Sequence, residues 1–280
     1  MPAKLGLPFS RLHIPDIRSE VIKRGLVAQI SGTTIWRWLV EDAIKPWTHR
    51  SWIFPRDPDF AAKAGRVLDL YAREFEGRKL KRDEYVISAD EKTSIQARIR
   101  CHPSVAANSR HPMLVEHEYD RGGSFAYIAA WDVHRAKLFG HLAPTTGIEP
   151  FDHLVDQVMM QEPYRSARRV FWVLDNGSSH RGLASVRRLQ KAHKNIVPVH
   201  LPIHASWINQ IEIYYSILQR KVLTPADAIS LDHLAQRILA FQATYENMAE
   251  PFQWKFTRAD LNKMLARLAA KEAAGDELAA

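Results

Sequence analysis

The sequence predicts an α/β protein whose first part is all α. Five short apolar runs, near residues 85–89, 124–133, 136–142, 170–174 and 196–201, have the β-branched and aromatic composition of buried strands. Between and after them, apolar residues recur three and four apart, the spacing of amphipathic helices. Before residue 82 the chain shows helix patterns only. A mixed five-stranded sheet flanked by helices, preceded by a small helical region, accommodates all three observations.

The helical region comes first. Ile17 to Leu26 reads as a short helix, with Asp16 near its start and Gly25 near its end. Ser31-Gly32 reads as a turn, and Thr33 or Thr34 can cap a second helix reaching Asp42. Helix, short turn, helix is the plan in which the second helix enters the DNA major groove. On that plan Thr33, Thr34 and Arg37, with Lys45, face DNA, while Ile35, Trp38 and Leu39 pack inward. Trp47, Trp52 and Phe54 are expected to pack a proline-rich connector onto the core. Asp59 to Glu76 reads as one long helix, followed by a basic loop over 77–82.

The strands carry the acids that matter. Tyr85 to Ala89 is expected to end at Asp90, and Val170 to Leu174 is stopped by Asp175-Asn176-Gly177. The stretch from Asp90 to Asp120 reads as irregular. A hairpin then turns at His134-Arg135, with Asp132 capping it, and a helix pattern covers Phe151 to Gln161. Arg181 to His193 is a polar helix pattern with Arg187, Arg188, Lys191 and Lys194 on one flank. A further helix starts near Ala205 or Ser206. Its residues Ile208, Ile211, Tyr215 and Leu218 form an apolar stripe, and Asn209, Glu212, Ser216 and Gln219 repeat that spacing on another face. Helices over 231–245 and 257–271 and an Ala-rich tail from Ala273 complete the chain.

Two strand-end aspartates and a helical glutamate, far apart in sequence, can converge on one point. Taken singly, each is an ordinary surface carboxylate. Taken together, they suit hard divalent cations, which take carboxylate oxygens. Three carboxylates can hold two ions about 3.5–4 Å apart, the clamp used in phosphodiester chemistry. Glu91 points to the opposite strand face from Asp90.

Composition narrows the classes. The chain of 280 residues carries a net charge of +8 and 46% hydrophobic residues, enough for a sizeable core. Residues 1–82 hold 16 Lys and Arg against 9 Asp and Glu, whereas the remainder holds 23 against 22. A basic first part favours a polyanionic partner. No run of 18 apolar residues is present, which excludes a membrane-spanning helix, and the first residues lack a signal peptide's apolar core. The single Cys101 excludes an internal disulfide and a cysteine-based zinc site, and fits a reducing cytoplasm.

Three motifs, Ala-Asp-Glu-Lys-Thr at 89–93, Asp-Asn-Gly-Ser-Ser-His at 175–180 and His-Ala-Ser-Trp-Ile-Asn-Gln-Ile-Glu at 204–212, carry a family likeness. The chain resembles the DDE transposases of the mariner superfamily, in the bacterial insertion-sequence branch called the IS six-thirty family. The likeness runs from about Ile30 to Leu268, and Ser-Gly-Thr-Thr-Ile-Trp-Arg-Trp-Leu is similar to the family's recognition helix. The gap between Asp175 and Glu212 is slightly wider than is usual in the superfamily.

The resemblance implies an RNase H-like catalytic core over 83–250, preceded by a helix-turn-helix domain over 1–46 and a connector with a helix over 47–82, and followed by a helix and tail over 251–280. It implies that Asp90, Asp175 and Glu212 are the catalytic and metal-binding triad for two magnesium or manganese ions. Two neighbours are candidate auxiliaries by position: His180, to orient the loop of Asp175, touch the scissile phosphate or serve as a plain structural contact, and Asn209, one turn before Glu212, to position water or metal-bound oxygens. The implied activity is cleavage of the ends of a bacterial insertion sequence and joining of the 3′-hydroxyl to target DNA at TA. The implied partners are the terminal inverted repeats, target DNA and further copies of the chain, as a homodimer or higher oligomer; the implied place is the cytoplasm, on the nucleoid. Family members usually carry another helix pair before this one, so the chain reads as N-terminally shortened. The competing readings are a remnant that only binds DNA, and an RNase H-like nuclease without strand transfer.

Overall fold

The computed structural model describes residues 2–42, 45, 46, 48 and 55–273, and divides into two compact units, Met1–Phe54 and Pro55–Ala280. Trp47, Trp52, Phe54 and the Ala-rich tail after Ala273 lie outside the described residues.

In the first unit a 3-10 turn, Pro2–Leu5, precedes helices α1 (Ile14–Lys23) and α2 (Gly32–Glu41). α1 starts earlier than the periodicity predicts. Pro15 sits in its first turn, where a missing N–H costs nothing, and the His13 N–H donates to Asp16 Oδ2 at 2.8 Å. Gly25, at φ 69°, follows its end in the left-handed conformation that closes helices. Ser31 caps α2, its Oγ accepting from the Thr34 N–H at 3.0 Å. Ile35 is buried as expected. Trp38 is not: it is 51% exposed, because α2 turns only its Ile35 and Leu39 side away from solvent among the described residues.

The second unit opens with α3 (Phe60–Tyr71). The sequence predicts this helix to Glu76, but Arg73, Glu76 and Gly77 all take positive φ and fold the chain into a small hairpin, β1 (Glu74–Phe75) with β2 (Arg78–Lys79). Then come β3 (Glu84–Ile99), β4 (Asp120–Asp132), β5 (Lys137–Ala143), α4 (Ile148–Met159), β6 (Arg169–Leu174), α5 (Gly182–Ala192) and β7 (Ile196–His200). A 3-10 turn, Ser206–Ile208, leads into α6 (Ile211–Lys221), and α7 (Leu231–Glu246) and α8 (Arg258–Ala273) end the described chain.

The sheet order is β5-β4-β3-β6-β7. β4 is antiparallel to both its neighbours, whereas β3, β6 and β7 run parallel. This is the mixed five-stranded RNase H-like arrangement. Both faces are covered. Val86, Phe171 and Val173 pack with residues of α3, α6 and α7, while Ile87, Trp172 and Leu174 pack with residues of α4 and α5. Side chains alternate between the two cores along each strand, so β6 from Val170 and β3 from Val86 to Asp90 are buried.

Two sequence expectations change here. β3 does not stop at Asp90 but continues to Ile99, because Ile95 and Ala97 are buried beyond an irregularity between Lys92 and Ile95. The helix carrying Glu212 starts at Ile211 rather than near Ser206, the preceding residues being a 3-10 turn. The hairpin turn is capped as expected: Asp132 Oδ1 accepts from the His134 and Arg135 N–H groups, each at 3.1 Å.

Candidate active site

In an open α/β sheet, parallel strands deliver side chains to the crevice beyond their carboxyl ends. β3 and β6 are such a pair. Their register matches Val86 with Phe171, Ile87 with Trp172 and Ser88 with Val173. Extending it by two residues sets Asp90 beside Asp175, one strand spacing apart, roughly 4.8 Å. Asp175 follows the last residue of β6, where the strand gives way to a turn. Asp90 lies within β3, opposite Ala129 of β4, and so is backed by sheet on its other side. Glu212 is the second residue of α6, half-buried, and its charge acts on Asp90.

The three carboxyl groups differ in environment. Asp90 is 8% exposed. Burial, then the charges of Asp175, Glu212 and Glu91, push its carboxyl up to about 7, against a counteracting hydrogen bond from the Glu91 N–H. Glu212 is also raised, by burial and by Asp175, with the ammonium of Lys92 opposing. Asp175 is lowered: His180 Nε2 lies 2.5 Å from its Oδ1, and the Gly177 N–H donates to the same oxygen at 2.7 Å, outweighing burial. One carboxylate is stabilised as an anion while its neighbour resists ionising.

Each acid is tied to the fold by side chains from several elements. Asn209 is 1% exposed; its Nδ2 donates to Asp90 Oδ2 at 3.1 Å and to the Ala89 carbonyl at 3.1 Å, and its Oδ1 accepts from Ser88 Oγ. Ser88 Oγ in turn accepts from the Ile211 N–H, at the start of α6, at 2.9 Å. Tyr215, buried one turn after Glu212, donates its hydroxyl to the Asp90 carbonyl. Tyr71 of α3 donates to the Ile208 carbonyl at 2.9 Å. The start of α6 is therefore fixed to β3 by buried polar contacts. Asn209 has its amide and carbonyl engaged with protein; it anchors Asp90 rather than presenting a free group.

On the other side of Asp175, Ser179 donates to Glu91 Oε1 at 2.8 Å and lies 2.9 Å from His180 Nδ1. His180 is fully buried, its ring 4.7 Å from that of Phe151 on α4, and its carbonyl lies 2.7 Å from His200 Nε2 of β7. Glu91, Asp175 and His180 each bring a ligand atom within 4.8 Å of the others. Glu91 is on the opposite strand face from Asp90, as the alternation predicts, yet that face also adjoins Asp175. Sequence reasoning missed Glu91, Ser179, Ser88 and Tyr215. The available signals were the Ser-Ser-His run after Asp175 and the position of Ser88 two residues before Asp90. Gly177 completes the loop: a Cβ there would meet Asp175 Oδ1 and His180 Cε1 at 2.9 Å, so only glycine leaves their contact undisturbed.

The residues assigned to DNA contact lie on α2. Thr33 and Arg37 are exposed. Thr34 is half-buried, with its hydroxyl 2.8 Å from Ser31 Oγ inside the helix cap.

Fold and site define an RNase H-like α/β protein with carboxylates gathered where the pairing of its two central parallel strands, β3 and β6, ends. The chain belongs to the DDE superfamily endonuclease family, whose sequence profile matches residues 85–235. Among solved structures it is similar to the Mos1 mariner paired-end complex with Mn, at 13% identity over 85% of this chain and 78% of that one, with a TM-score of 0.42. It is also similar to the Mos1 strand transfer complex, at 13% identity over 89% and 81%, with a TM-score of 0.44. No curated protein matches the chain. Among the described residues no helix is long and apolar enough to cross a membrane.

Proposed function

We propose that this protein is a transposase of the IS six-thirty family, cleaving the ends of a bacterial insertion sequence and joining the freed 3′-hydroxyl to target DNA at TA. What supports this reading is the β3–β6 register, which two residues further on aligns Asp90 with Asp175, together with the charges of Asp175 and Glu212 that bear on Asp90 and of Asp175 that bears on Glu212. We assign these three as catalytic residues. Three crowded carboxyl groups, one held anionic and two resisting ionisation, suit a divalent cation, which relieves their repulsion. Two magnesium or manganese ions bound there would supply Lewis-acid activation of a water or a 3′-hydroxyl and stabilise the leaving oxygen.

The chain's own residues do the positioning. Asn209, Ser88 and Tyr215 hold Asp90, and His180 and Gly177 orient one oxygen of Asp175, so that its carboxylate is held ready as a metal ligand. Both steps are in-line displacements at phosphorus and need no covalent enzyme intermediate. The helix pair in residues 1–46 serves as the DNA-binding domain through Thr33, Thr34 and Arg37; residues 47–82 connect it to the catalytic domain, 83–250, and a C-terminal helix and tail, 251–280, follow. DNA ends are the substrate, and a dimer or higher oligomer brings two of them together.

The test is cleavage of DNA from the flanks of the gene, with magnesium, by wild type and Asp175→Asn. The variant keeps the shape of the side chain but removes a charged ligand, so cleavage should disappear while binding persists. Full cleavage by the variant, or undiminished cleavage in excess chelator, defeats the assignment. Binding without cleavage by wild type would point to a DNA-binding protein, and cleavage without joining to a nuclease.

A further inference from the structure

Beside the carboxylates, β3 is irregular. Lys92 pairs with Tyr127 and Ile95 with Phe125, so two residues, Thr93 and Ser94, oppose one on β4. Ser94 takes a left-handed φ of 55°, and both residues are exposed. This is a β-bulge, a device that re-aims side chains and is frequent next to active sites. It opens a cavity of about 180 Å³ lined by Lys92, Thr93, Ser94, Gln96, Arg98 and, from α6, Gln219.

The lining contains two cations and no carboxylate. Among the described residues, neither Lys92 nor Arg98 forms a salt bridge. Lys92 Nζ stands 6.0 Å from the centroid of the Tyr215 ring, and the Arg98 guanidinium stands 5.0 Å from that of Tyr119. The nearby Asp227 is engaged elsewhere, by Arg100 and by the Ser104 hydroxyl. Gln219 uses its amide nitrogen on Thr224. Hydroxyl groups and the Gln96 amide therefore surround two cations that form no salt bridge among the described residues. Lys92 also joins the cavity to the carboxylates, because its ammonium acts on Glu212.

We infer that the β3-bulge cavity is an anion subsite that grips a backbone phosphate of the DNA strand running past Asp90 and Glu212. The inference rests on the reading of the carboxylates as a phosphodiester-cleaving centre, which supplies the strand. Lys92 would contact the phosphate nearest the reacting linkage, and Arg98 the wall farther from it. A charged contact of this kind has no base preference and adds to the salt dependence of binding.

The test uses binding alone, in chelator, so it is separable from any failure of cleavage. The full-length chain and Arg98→Gln are titrated by anisotropy with a labelled 20-nucleotide single strand across a range of salt. The same titration is run on a strand of identical sequence whose linkages are neutral methylphosphonates. Arg98→Gln should weaken binding of the charged strand by about threefold to tenfold and lower the slope of log affinity against log salt by about 0.7, the contribution of one single-strand phosphate contact. It should leave the neutral strand unaffected. Arg98→Lys should restore most of the affinity, which a packing role against Tyr119 alone would not predict, and unchanged melting shows that the fold is intact. Equal affinity of wild type and Arg98→Gln for the charged strand, or equal losses on both strands, overturns the subsite.

Discussion

The two units are built on opposite balances of apolar and polar contacts. In the first, Pro2 and Ile35 are the buried residues among those described, while Leu26, Trp36 and Trp38 are each at least half exposed. Its side-chain hydrogen bonds between distant residues include two from arginines to backbone carbonyls: Arg18 Nε to Ile30 at 2.7 Å and an Arg24 guanidinium nitrogen to Leu5 at 2.7 Å. In the second, large side chains such as Trp131, Trp172 and Phe151 are fully buried, and strands alternate between two cores. Exposed polar contacts contribute little each, whereas burying a large apolar side chain contributes about 1.5–3 kcal/mol. The sheet unit can therefore carry buried, mutually repelling acids. The helix pair has no comparable reserve, and its exposed aromatic and basic residues remain open to a partner.

The sharpest way to break this contrast is to remove one buried side chain from each unit. Phe171, on β6, is fully buried, with its ring 4.6 Å from that of Phe75. Phe171→Ala should destabilise the sheet unit by about 3–5 kcal/mol, read from denaturant unfolding followed by tryptophan fluorescence. Ile35→Ala should leave that main transition in place and act only on α1 and α2, read as faster amide exchange there. If Ile35→Ala shifted the main transition as far as Phe171→Ala, the two units would not be energetically separate.

A second, somewhat smaller effect comes from the buried acids. The Asp90 carboxyl is raised in the folded chain from the ordinary value of 3.8 to about 7. Between those values the folded state holds a proton that the unfolded state has released. Stability is thus highest below 3.8, declines as pH rises to about 7, and is level above, by up to about 4 kcal/mol at 1.36 kcal/mol per unit. Glu212 is raised and adds in the same direction; Asp175 is lowered and loses its contribution as the medium becomes more acidic. In chelator, the melting temperature of wild type should fall across this window, and Asp90→Asn should flatten the fall and melt higher at pH 8. A metal ion held by the same carboxylates replaces the proton, so magnesium should raise melting more at pH 8 than at pH 5. A melting temperature independent of pH in chelator would contradict the burial of Asp90.

How far the sequence led follows the same division. β6 and Asp175 were legible because an apolar run stops at Asp-Asn-Gly, a local signal. The stripe Ile208, Ile211, Tyr215 and Leu218 is buried in full, so the face opposite Glu212 was legible too. The continuation of β3 was not, because the bulge at Thr93 and Ser94 breaks the alternation by which strands are recognised. The helix end at Tyr71 was hidden by residues that adopt positive φ without being glycine, namely Arg73 and Glu76. The anchoring of Asp90 by Asn209 depends on how the 3-10 turn before α6 packs on β3, a tertiary fact that no local spacing encodes, whereas the Asp175–His180 contact lies within one short loop. In the helix pair the inward placement of Trp38 failed because periodicity says which residues share a face, not whether a neighbour covers it.

The smallest expected effect tests the other half of the contrast, that the helix pair is built for a partner rather than for its own stability. Arg37 is exposed on α2, and among the described residues it has no hydrogen-bond or ion-pair partner. An exposed side chain without contacts contributes within about 0.5 kcal/mol to folding. Arg37→Ala should therefore leave melting unchanged. If α2 lies against DNA, the same substitution removes one phosphate or base-edge contact, worth about 1–3 kcal/mol when it is bidentate to a base and less for a phosphate alone. Affinity for duplex DNA should fall at least severalfold. The salt slope separates the two kinds of contact: a lost phosphate contact lowers it by about 0.9 on duplex, whereas a lost base contact weakens binding to one sequence and leaves non-specific binding nearly unchanged. Unchanged affinity on every duplex, with melting also unchanged, would take Arg37 out of the interface and leave the exposed Trp36 and Trp38 without the partner assigned to this helix.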